Sequence, residues 1–408
     1  MKTWIQNHVN YYDFRAEEGQ RDCNLKVSEL KNLLKPDNEI DSEIANLNPI
    51  EVFGNSDDVV RVANSDVVVN LHDKARDIKL DIVEKIANFE YVGVDNDKEL
   101  ILEVYSEEDD IEKMVLNCIY NSSYEFMELF SMGKYGSHCI SAEQNDILRD
   151  NIVRQLQANS DVTRQFRLLQ SNNKYYLRAI TSTEYMNYNN NVALYLVLGY
   201  LHKLATKTNI DFYIKRGQIS DSGIRLIIES DKEYDIDGKM KVKVGLLINN
   251  GELRDKSLSC SIRYRFLDIK DESLQFSVVT TPVEEPIFDI MHRVQPSTVI
   301  KKIKNLEKLY DLTDTMIKLI KKIDKSKNLS SDYIYIIYEG ITKDRSGTFS
   351  KDTKESFKAM YDKYFVNNTY SLFKGFNMIN SIVTNIEERL HLEKIYYQVI
   401  HNLAKDAD

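Results

Sequence analysis

The chain has 408 residues and a net charge of −10; 42% of its residues are hydrophobic and 29% are charged, with only 5 Pro and 14 Gly. This length predicts two or three domains, and this composition argues against a disordered or low-complexity protein. Residues 1–150 carry 15 Lys and Arg against 32 Asp and Glu, residues 151–290 carry 19 against 17, and residues 291–408 carry 20 against 15. A polyanionic partner would therefore be repelled by the first third of the chain and tolerated by the remainder.

The apolar runs and the cysteines indicate the compartment. No run approaches the roughly 18 apolar residues that a membrane helix needs, and the N-terminal residues lack the apolar core of a signal peptide. The cysteines are far apart and form no CxxC pair: Cys23, Cys118, Cys139 and Cys260. We therefore expect free thiols, no membrane partner and a cytoplasmic location.

Residues 1–158 are predicted to form an acidic region of mixed α and β structure. β-Branched residues predict one or two strands over 58–74, and apolar residues at helical spacing predict a helix over 75–89. The residues that carry this helical spacing are Ile78, Ile82, Ile86 and Phe89. The other elements predicted in this region are a helix at 25–34 that Pro36 ends, a strand at 98–105, and helices at 109–132 and 142–158.

Residues 159–290 are predicted to form an antiparallel sheet with one helix. Two strands, at 163–170 and 174–181, are separated by Ser171, Asn172 and Asn173, which indicates a hairpin. Three asparagines at 189–191 offer an N-cap for an apolar helix. Four further strands are separated by glycine-containing turn signals: 211–217, 223–230, 241–248 and 257–266.

Residues 291–408 are predicted to be helical. An amphipathic helix starts at Pro296 and carries lysines on one face, whereas the segment 333–341 suits a helix or a strand. The last helix carries what we call the apolar seam, with residues at spacings of 3 and 4: Leu372, Phe376, Ile379, Val383, Ile386, Leu390, Tyr397 and Ile400. Glu393 interrupts the repeat. The fold class expected overall is α+β, with a central, mostly antiparallel sheet between the acidic N-terminal region and the helical C-terminal region.

The apolar seam has to be covered, and two coverings are open. The helix after Pro296 can pack on it within the chain, or a second copy can pack on it across a symmetric interface. The aromatic residues beside the seam, Phe373, Tyr396 and Tyr397, add apolar area that one helix would not cover. We therefore expect a homo-oligomer.

Motifs for catalysis, cofactors and metals are missing from the sequence. It contains no GxxxxGK[ST], no GxGxxG and no HExxH, and the segment GKYGSH at 133–138 follows a predicted helix as a turn. His138 and Cys139 are adjacent, but neighbours in sequence point in different directions. We therefore expect no cofactor and no metal ion, and we assign no catalytic residue.

Basic residues in two segments are candidates for nucleic-acid binding. On a strand, Arg263 and Arg265 share one face while Tyr264 and Phe266 share the other. The lysines of the helix after Pro296 can follow a phosphate backbone, or they can form an ordinary solvated face. The residues proposed for this surface are Arg263, Arg265, Lys301, Lys302, Lys321 and Lys322.

Two further segments resemble a phage and plasmid protein family of unknown function, and the resemblance extends over about 160–400. The first segment resembles the family's R-A-I/V-x-S-x-x-Y strand and turn, which a D/N-N step into a helix follows, and the second resembles its G-x-x-I-x-N-S-E-x-G-x-x-S-L stretch. The matching residues are Arg178, Ala179, Ile180, Ser182, Tyr185, Asn189, Asn190, Gly245, Ile248, Asn249, Glu252, Ser257 and Leu258. The helix with Leu372, Phe373, Phe376 and Asn377 is loosely similar to the family's C-terminal end. The resemblance implies a mobile-element origin in a bacterial host cell, and it implies no activity.

The motif residues selected as a ligand site or as structural residues are Arg178, Ser182, Tyr185, Asn190, Asn249 and Glu252. The leading hypothesis is a non-enzymatic protein that binds DNA or RNA. The alternatives are an interaction or structural protein that self-assembles or captures a host protein through its C-terminal helices, and an enzyme with an unrecognised site.

Overall fold

The computed structural model describes residues 10–406, except for 18, 76–77, 107–110, 237, 239, 255, 272–273, 281–285, 324–331, 362–368 and 384. Within these residues the strands, numbered in chain order, are β1 (Tyr11–Arg15), β2 (Val62–Ala63), β3 (Ile78–Lys85), β4 (Phe89–Val94), β5 (Leu100–Ser106), β6 (Ile111–Cys118), β7 (Thr163–Ser171), β8 (Lys174–Thr181), β9 (Phe212–Ser220), β10 (Gly223–Ile236), β11 (Met240–Gly251), β12 (Leu258–Asp268), β13 (Gln275–Val279) and β14 (Pro286–Ile290).

The α-helices of the same residues are α1 (Glu39–Leu47), α2 (Ser65–Ala75), α3 (Ser122–Glu128), α4 (Gly133–Ser141), α5 (Asn145–Ala158), α6 (Asn190–Thr208), α7 (Pro296–Ile303), α8 (Leu309–Ile323), α9 (Asp332–Thr342), α10 (Lys351–Tyr361), α11 (Thr369–Ile382) and α12 (Ile386–Asp406). Short 3₁₀ helices cover Val27–Leu33, Ile50–Val52, Ile86–Asn88 and Lys304–Lys308. The fold class is α+β, as the sequence predicts.

A six-stranded sheet forms the first of two sheets, in the order β3-β7-β8-β6-β5-β4. All its pairs are antiparallel except β6 with β8. The β7–β8 hairpin turns at Asn172 and Asn173, whose φ values of 52° and 60° suit the primed turns that join twisted strands. Helices α3, α4 and α5 cover one face of this sheet and bury an apolar cluster that includes Phe126, Leu148 and Phe166.

The second sheet has eight strands and continues in the order β1-β9-β10-β11-β12-β13, with β14 also paired to β12 and β2 paired to β9. One face buries the largest apolar cluster of the described residues, together with α6. On β12 this face carries Tyr264 and Phe266, which are fully buried, whereas Arg263 and Arg265 lie on the opposite face. The predicted alternation along this strand is therefore confirmed.

Helix α6 lies inside the molecule rather than on its surface. Of its 19 residues, 15 are buried, because the eight-stranded sheet packs on one side and the N-terminal helices and α7 pack on the others. Two tyrosines of α6 bind the N-terminal segment: Tyr195 donates to the carbonyl of Asn48 at 2.7 Å and Tyr200 donates to its Oδ1 at 2.6 Å. The N-terminal segment thus belongs to the same core as the eight-stranded sheet.

Strand pairing crosses the boundary predicted at 158/159. β7 and β8 follow that boundary but pair with β3 and β6, which precede it, while β1 and β2 pair with β9 of the next predicted region. The two sheets are therefore each built from both sides of the boundary.

Three secondary-structure predictions in the first region are wrong. The segment 65–75 is helix α2 instead of a strand, and 78–85 is strand β3 instead of a helix. The helix predicted over 109–132 contains strand β6 followed by α3. In contrast, the strands predicted at 98–105 and between 163 and 266, the helix at 142–158 and the helix after residue 189 are present, and the ambiguous segment 333–341 is helix α9.

The apolar seam belongs to two helices instead of one. α11 ends at Ile382 and α12 begins at Ile386, so that α11 packs back on α12, with the rings of Phe376 and Tyr396 stacked at 4.0 Å. Every residue of the seam is at most 7% exposed within a single chain, and so are Phe373 and Tyr396. The covering comes from α8, α9 and β13. The apolar seam is therefore covered by helices and a strand of the same chain. Self-association stays a prediction, but the exposed apolar area from which it was inferred is not present on the seam.

Candidate functional site

The two sheets meet at five charged side chains, which we call the buried charge network: Lys79, Asp81, Arg167, Arg178 and Glu252. Adjacent strands β3, β7 and β8 of the six-stranded sheet supply the first four, and Glu252 directly follows β11 of the other sheet. Lys79 and Asp81 lie on the same face of β3 because side chains alternate along a strand. The network therefore joins the two sheets.

Glu252 lies at the centre of the network and is fully buried. Lys79 Nζ donates to its Oε1 at 2.7 Å and to Oε2 at 2.8 Å, and Arg178 Nη1 donates to Oε2 at 2.8 Å. The backbone N–H of Asn190 also donates to Oε1, at 2.8 Å. Burial alone would raise the pKa of the Glu252 carboxyl, but the positive charges of Lys79, Arg178 and Arg167 hold this pKa well below its usual range. Glu252 is therefore a carboxylate at all ordinary pH values.

Asp81 fixes the segment between β8 and α6. Its carboxylate accepts from Arg167 Nη2 and from Asn187 Nδ2, both at 3.1 Å, and lies 3.7 Å from Arg178 Nη2. Arg167 Nη2 also donates to Asn189 Oδ1 at 2.6 Å. Each charge of the network therefore faces an opposite charge, so that removal of one partner would leave the other buried and uncompensated.

A cleft of about 610 Å³ opens beside the network, and we call it the acidic cleft. Six carboxylates line it against two lysines: Asp37, Glu39, Asp41, Glu43, Asp81 and Glu184 against Lys35 and Lys79. His72 also lines the cleft; burial lowers its pKa, so its imidazole is neutral near pH 7. The cleft is therefore strongly negative.

A second cavity, of about 850 Å³, is the basic groove. Among the described residues it is lined by three basic side chains, Arg254, Lys256 and Arg293, and by one carboxylate, Glu184. Arg254 Nη1 is held by the carbonyl of Ile180 at 3.1 Å. Neutral hydrogen-bonding side chains also line the groove: Ser182, Tyr185, Ser257, His292 and Gln295. The groove is therefore positive in a chain whose net charge is negative.

The loop after β8 separates the acidic cleft from the basic groove, and Glu184, Tyr185 and Met186 line both. The rings of Tyr185 and His292 are parallel within 2° and 5.1 Å apart. His292 Nδ1 lies 3.2 Å from the carbonyl of Met186, to which it can donate. Burial, reinforced by the charge of Arg167, lowers the pKa of His292 to about 4, so the imidazole of His292 is uncharged near neutral pH.

The structure brings together most of the motif residues selected from the sequence. Arg178 and Glu252 form the centre of the network, Asn190 donates to Glu252, and Ser182 and Tyr185 line the basic groove. Asn190 does not cap α6 with its side chain; Glu252 supplies the acceptor instead. Asn249 lies apart from them, where its Oδ1 accepts from Arg225 Nε at 3.1 Å.

Arg263 does not lie on an open surface, because α12 covers it. Its guanidinium binds Glu393 through two hydrogen bonds of 2.9 and 2.7 Å and binds Glu229 at 3.1 Å. Arg265 also binds Glu229, at 3.2 Å, and is partly exposed. Burial would raise the pKa of Glu229, but Lys215, Arg263 and Arg265 lower it to about 2. A nucleic acid cannot reach Arg263 in this fold, so its assignment to a contact surface is wrong.

The predicted lysines lie on α7 and α8. Lys301 is exposed, whereas Lys302 Nζ donates to the carbonyl of Asp289 at 2.7 Å. Lys321 is half-buried, and the side chain of Lys322 lies outside the described part of the chain. Of the three whose side chains are described, Lys301, Lys302 and Lys321, none lines the basic groove.

The site residues selected from the sequence include neither Lys79, Asp81 and Arg167 of the network nor Arg254, Lys256 and Arg293 of the groove. Lys79 and Asp81 were not recognised as neighbours on one face of a strand, because the segment that contains them was predicted to be a helix. Their alternation with apolar Ile78, Leu80 and Ile82 was the signal that would have revealed a two-sided strand.

Neither a metal-binding group nor a membrane-spanning helix is found among the described residues. Among the described residues, no group of three or more His, Cys, Asp or Glu side chains is arranged to hold a metal ion. None of the helices described is long and apolar enough to cross a membrane. No family model, curated protein or solved structure matches the chain.

Proposed function

We propose that the protein is a non-enzymatic nucleic-acid-binding protein of phage or mobile-element type, with the basic groove as its contact surface. The observation that carries this proposal is the grouping of Arg254, Lys256 and Arg293 around one cavity, where Glu184 is the one carboxylate among the described lining residues. Phosphate contacts made by Arg and Lys supply most of the affinity of sequence-independent binding. Serine and glutamine side chains beside them are common donors to phosphate and sugar oxygens.

The two segments that resemble the phage and plasmid family support the same groove. Ser182 and Tyr185 of the first segment and Ser257 of the second line it, although they are separated by about 70 residues in sequence. The buried charge network lies directly behind them and holds the loop through Arg167 and Asn189. The network thus serves to position the groove.

Reversing the three positive charges of the groove should weaken nucleic-acid binding strongly. We expect the triple variant Arg254→Glu, Lys256→Glu, Arg293→Glu to bind single-stranded oligonucleotides only weakly, and only at low salt. Loss of three phosphate contacts should also reduce the slope of log affinity against log salt by about 2–3 for the residual binding. Fluorescence anisotropy with labelled DNA and RNA over a salt series measures both quantities.

A matched control for this variant lies on α4 and α5, which do not line the groove. Lys134, Arg149 and Arg154 are exposed there, so their replacement by Glu changes the net charge by the same amount. Equal loss in both triple variants would mean that only overall charge matters. Absence of binding by the unmodified protein at low salt would refute the proposed function.

Removing the single carboxylate of the groove should have the opposite effect. Glu184 is exposed and repels a phosphate that enters. We expect Glu184→Gln to tighten binding severalfold at low salt, by about 0.5–1 kcal/mol, and to do less at high salt because the charges are screened. The same anisotropy series measures this gain, and unchanged or weaker binding would place the nucleic acid elsewhere.

A further inference from the structure

The lining of the acidic cleft has six carboxylates and two lysines. Four of the carboxylates lie at the rim, and none of these four is in an ion pair with a described residue. The inner carboxylates are occupied: Asp81 by Arg167 and Asn187, and Asp41 by the backbone N–H of Lys35 at 2.8 Å and by Asn191 Nδ2 at 2.6 Å. Lys79 is bound to Glu252. The carboxylates at the rim are exposed: Asp37, Glu39, Glu43 and Glu184.

Asn187 gives the cleft an acceptor below this rim. Its side chain lines the cleft and is only 8% exposed. Since Nδ2 donates to Asp81, the orientation of the amide is fixed and Oδ1 is the remaining acceptor. Among the described residues Oδ1 has no hydrogen-bond partner, and a buried acceptor in that state is costly. A ligand that brings a donor would remove this cost.

We propose that the acidic cleft binds an extended organic cation through its ammonium or guanidinium groups. Such a ligand offers several N–H donors spread over its length, which match carboxylates around a rim and one amide acceptor below it. A bare metal ion matches the cleft less well, because the described His, Cys, Asp and Glu side chains do not converge in a metal-binding group. The cleft shares the wall of Glu184, Tyr185 and Met186 with the basic groove, but its rim carboxylates on α1 do not line the groove, so variants of α1 test the cleft by itself.

Two sources can supply this chemistry, a free polyamine or the basic side chains of a peptide. The probes are spermidine and a short peptide of Lys and Arg, titrated by isothermal calorimetry at low ionic strength. We expect saturable binding of one equivalent of at least one probe. Tighter binding of spermidine identifies a polyamine site, and tighter binding of the peptide identifies a site for a basic protein segment.

The double variant Glu39→Gln, Glu43→Gln removes two exposed rim charges of α1 and should weaken binding roughly tenfold. The control Asp352→Asn, Glu355→Gln removes two exposed charges of α10, outside the cleft, and should leave the affinity unchanged. Asn187→Ala should also weaken binding, and if that variant does not fold, the rim variant decides. No saturable binding of either probe, or an equal loss in both double variants, would overturn the proposal while leaving the groove untouched.

Discussion

Glu252→Gln should destabilise the protein by about 3–5 kcal/mol, because it leaves Lys79 buried without its counter-charge and Arg178 with only Asp81, 3.7 Å away. The side chains of Lys79, Arg178 and Glu252 are 8%, 0% and 0% exposed, so water cannot replace the lost carboxylate. Glutamine keeps the shape of the residue and one acceptor oxygen, so the loss reports charge rather than volume. Chemical denaturation, followed by circular dichroism, measures the difference.

A control with the same substitution is Glu233→Gln. Glu233 pairs with Lys241 and Lys243, but its side chain is 35% exposed, and pairs of this kind contribute at most about 1 kcal/mol. If the two variants lose the same small amount of stability, the network does not hold the sheets together.

The effect of Glu252→Gln should depend on pH in a definite direction. The pKa of Glu252 is lowered in the folded protein relative to about 4.3 in the unfolded chain. The ionised Glu252 therefore contributes its full share of the free energy of unfolding at any pH above its pKa in the unfolded chain. This contribution is lost as the pH falls towards its pKa in the folded protein. The stability gap between the unmodified protein and the variant should be constant from about pH 6 to 8 and should narrow below about pH 4.

Glu393→Ala should cost about 3 kcal/mol or more, since it leaves the Arg263 guanidinium buried beneath α12 with only Glu229 beside it. The double variant Arg263→Met, Glu393→Leu should recover most of this loss, because apolar residues of similar volume can replace a buried pair. Melting temperatures of the two variants and of the unmodified protein measure the recovery. Glu355→Gln, in an exposed pair with Lys351, is the control and should not change the melting temperature.

One result for Glu393→Ala would restore Arg263 as a candidate contact for nucleic acid. If Glu393→Ala kept full stability and gained affinity for nucleic acid, then α12 would be a cover that moves off a basic strand. The structure argues against that outcome, because Ile386 and Leu390 of the same helix pack on Ile227, Leu247 and Val279 of the sheet.

Local patterns predicted the fold best where turns are marked. The turns that join β7 to β8, β9 to β10, β10 to β11 and β11 to β12 carry asparagine or glycine, and these strands and α6 were found as predicted. In the first region the patterns were ambiguous. A spacing of four, as between Ile78 and Ile82, fits one face of a helix and equally one face of a strand. The β-branched residues Val67, Val68 and Val69 favour a strand locally, but packing of α2 against β9 and α6 determines a helix there.

The charged contacts could not be predicted, because their partners are distant in the chain. Lys79 and Glu252 are 173 residues apart, and Arg263 and Glu393 are 130 residues apart. The sequence identified Glu393 as an interruption of the apolar seam and Arg263 as a basic residue on a strand. Neither pattern indicated that the two side chains pair. Each had a buried partner of opposite charge, and that pairing is a property of the tertiary fold.

The pairing of β1 with β9 has a consequence for the order in which the chain can fold during synthesis. Tyr11 pairs with Ser220 and Arg15 with Arg216, so β1 has no partner strand until about 200 more residues have been made. Contacts this distant form late, and chains that wait for them expose unpaired strand edges. The first turn of α6 also lacks a contact until β11 has been made, because the N–H of Asn190 donates to Glu252, which follows β11. A ribosome would therefore have to make the six-stranded sheet and β9 before the first strand is protected, and until then β1 is an exposed strand that chaperones can bind.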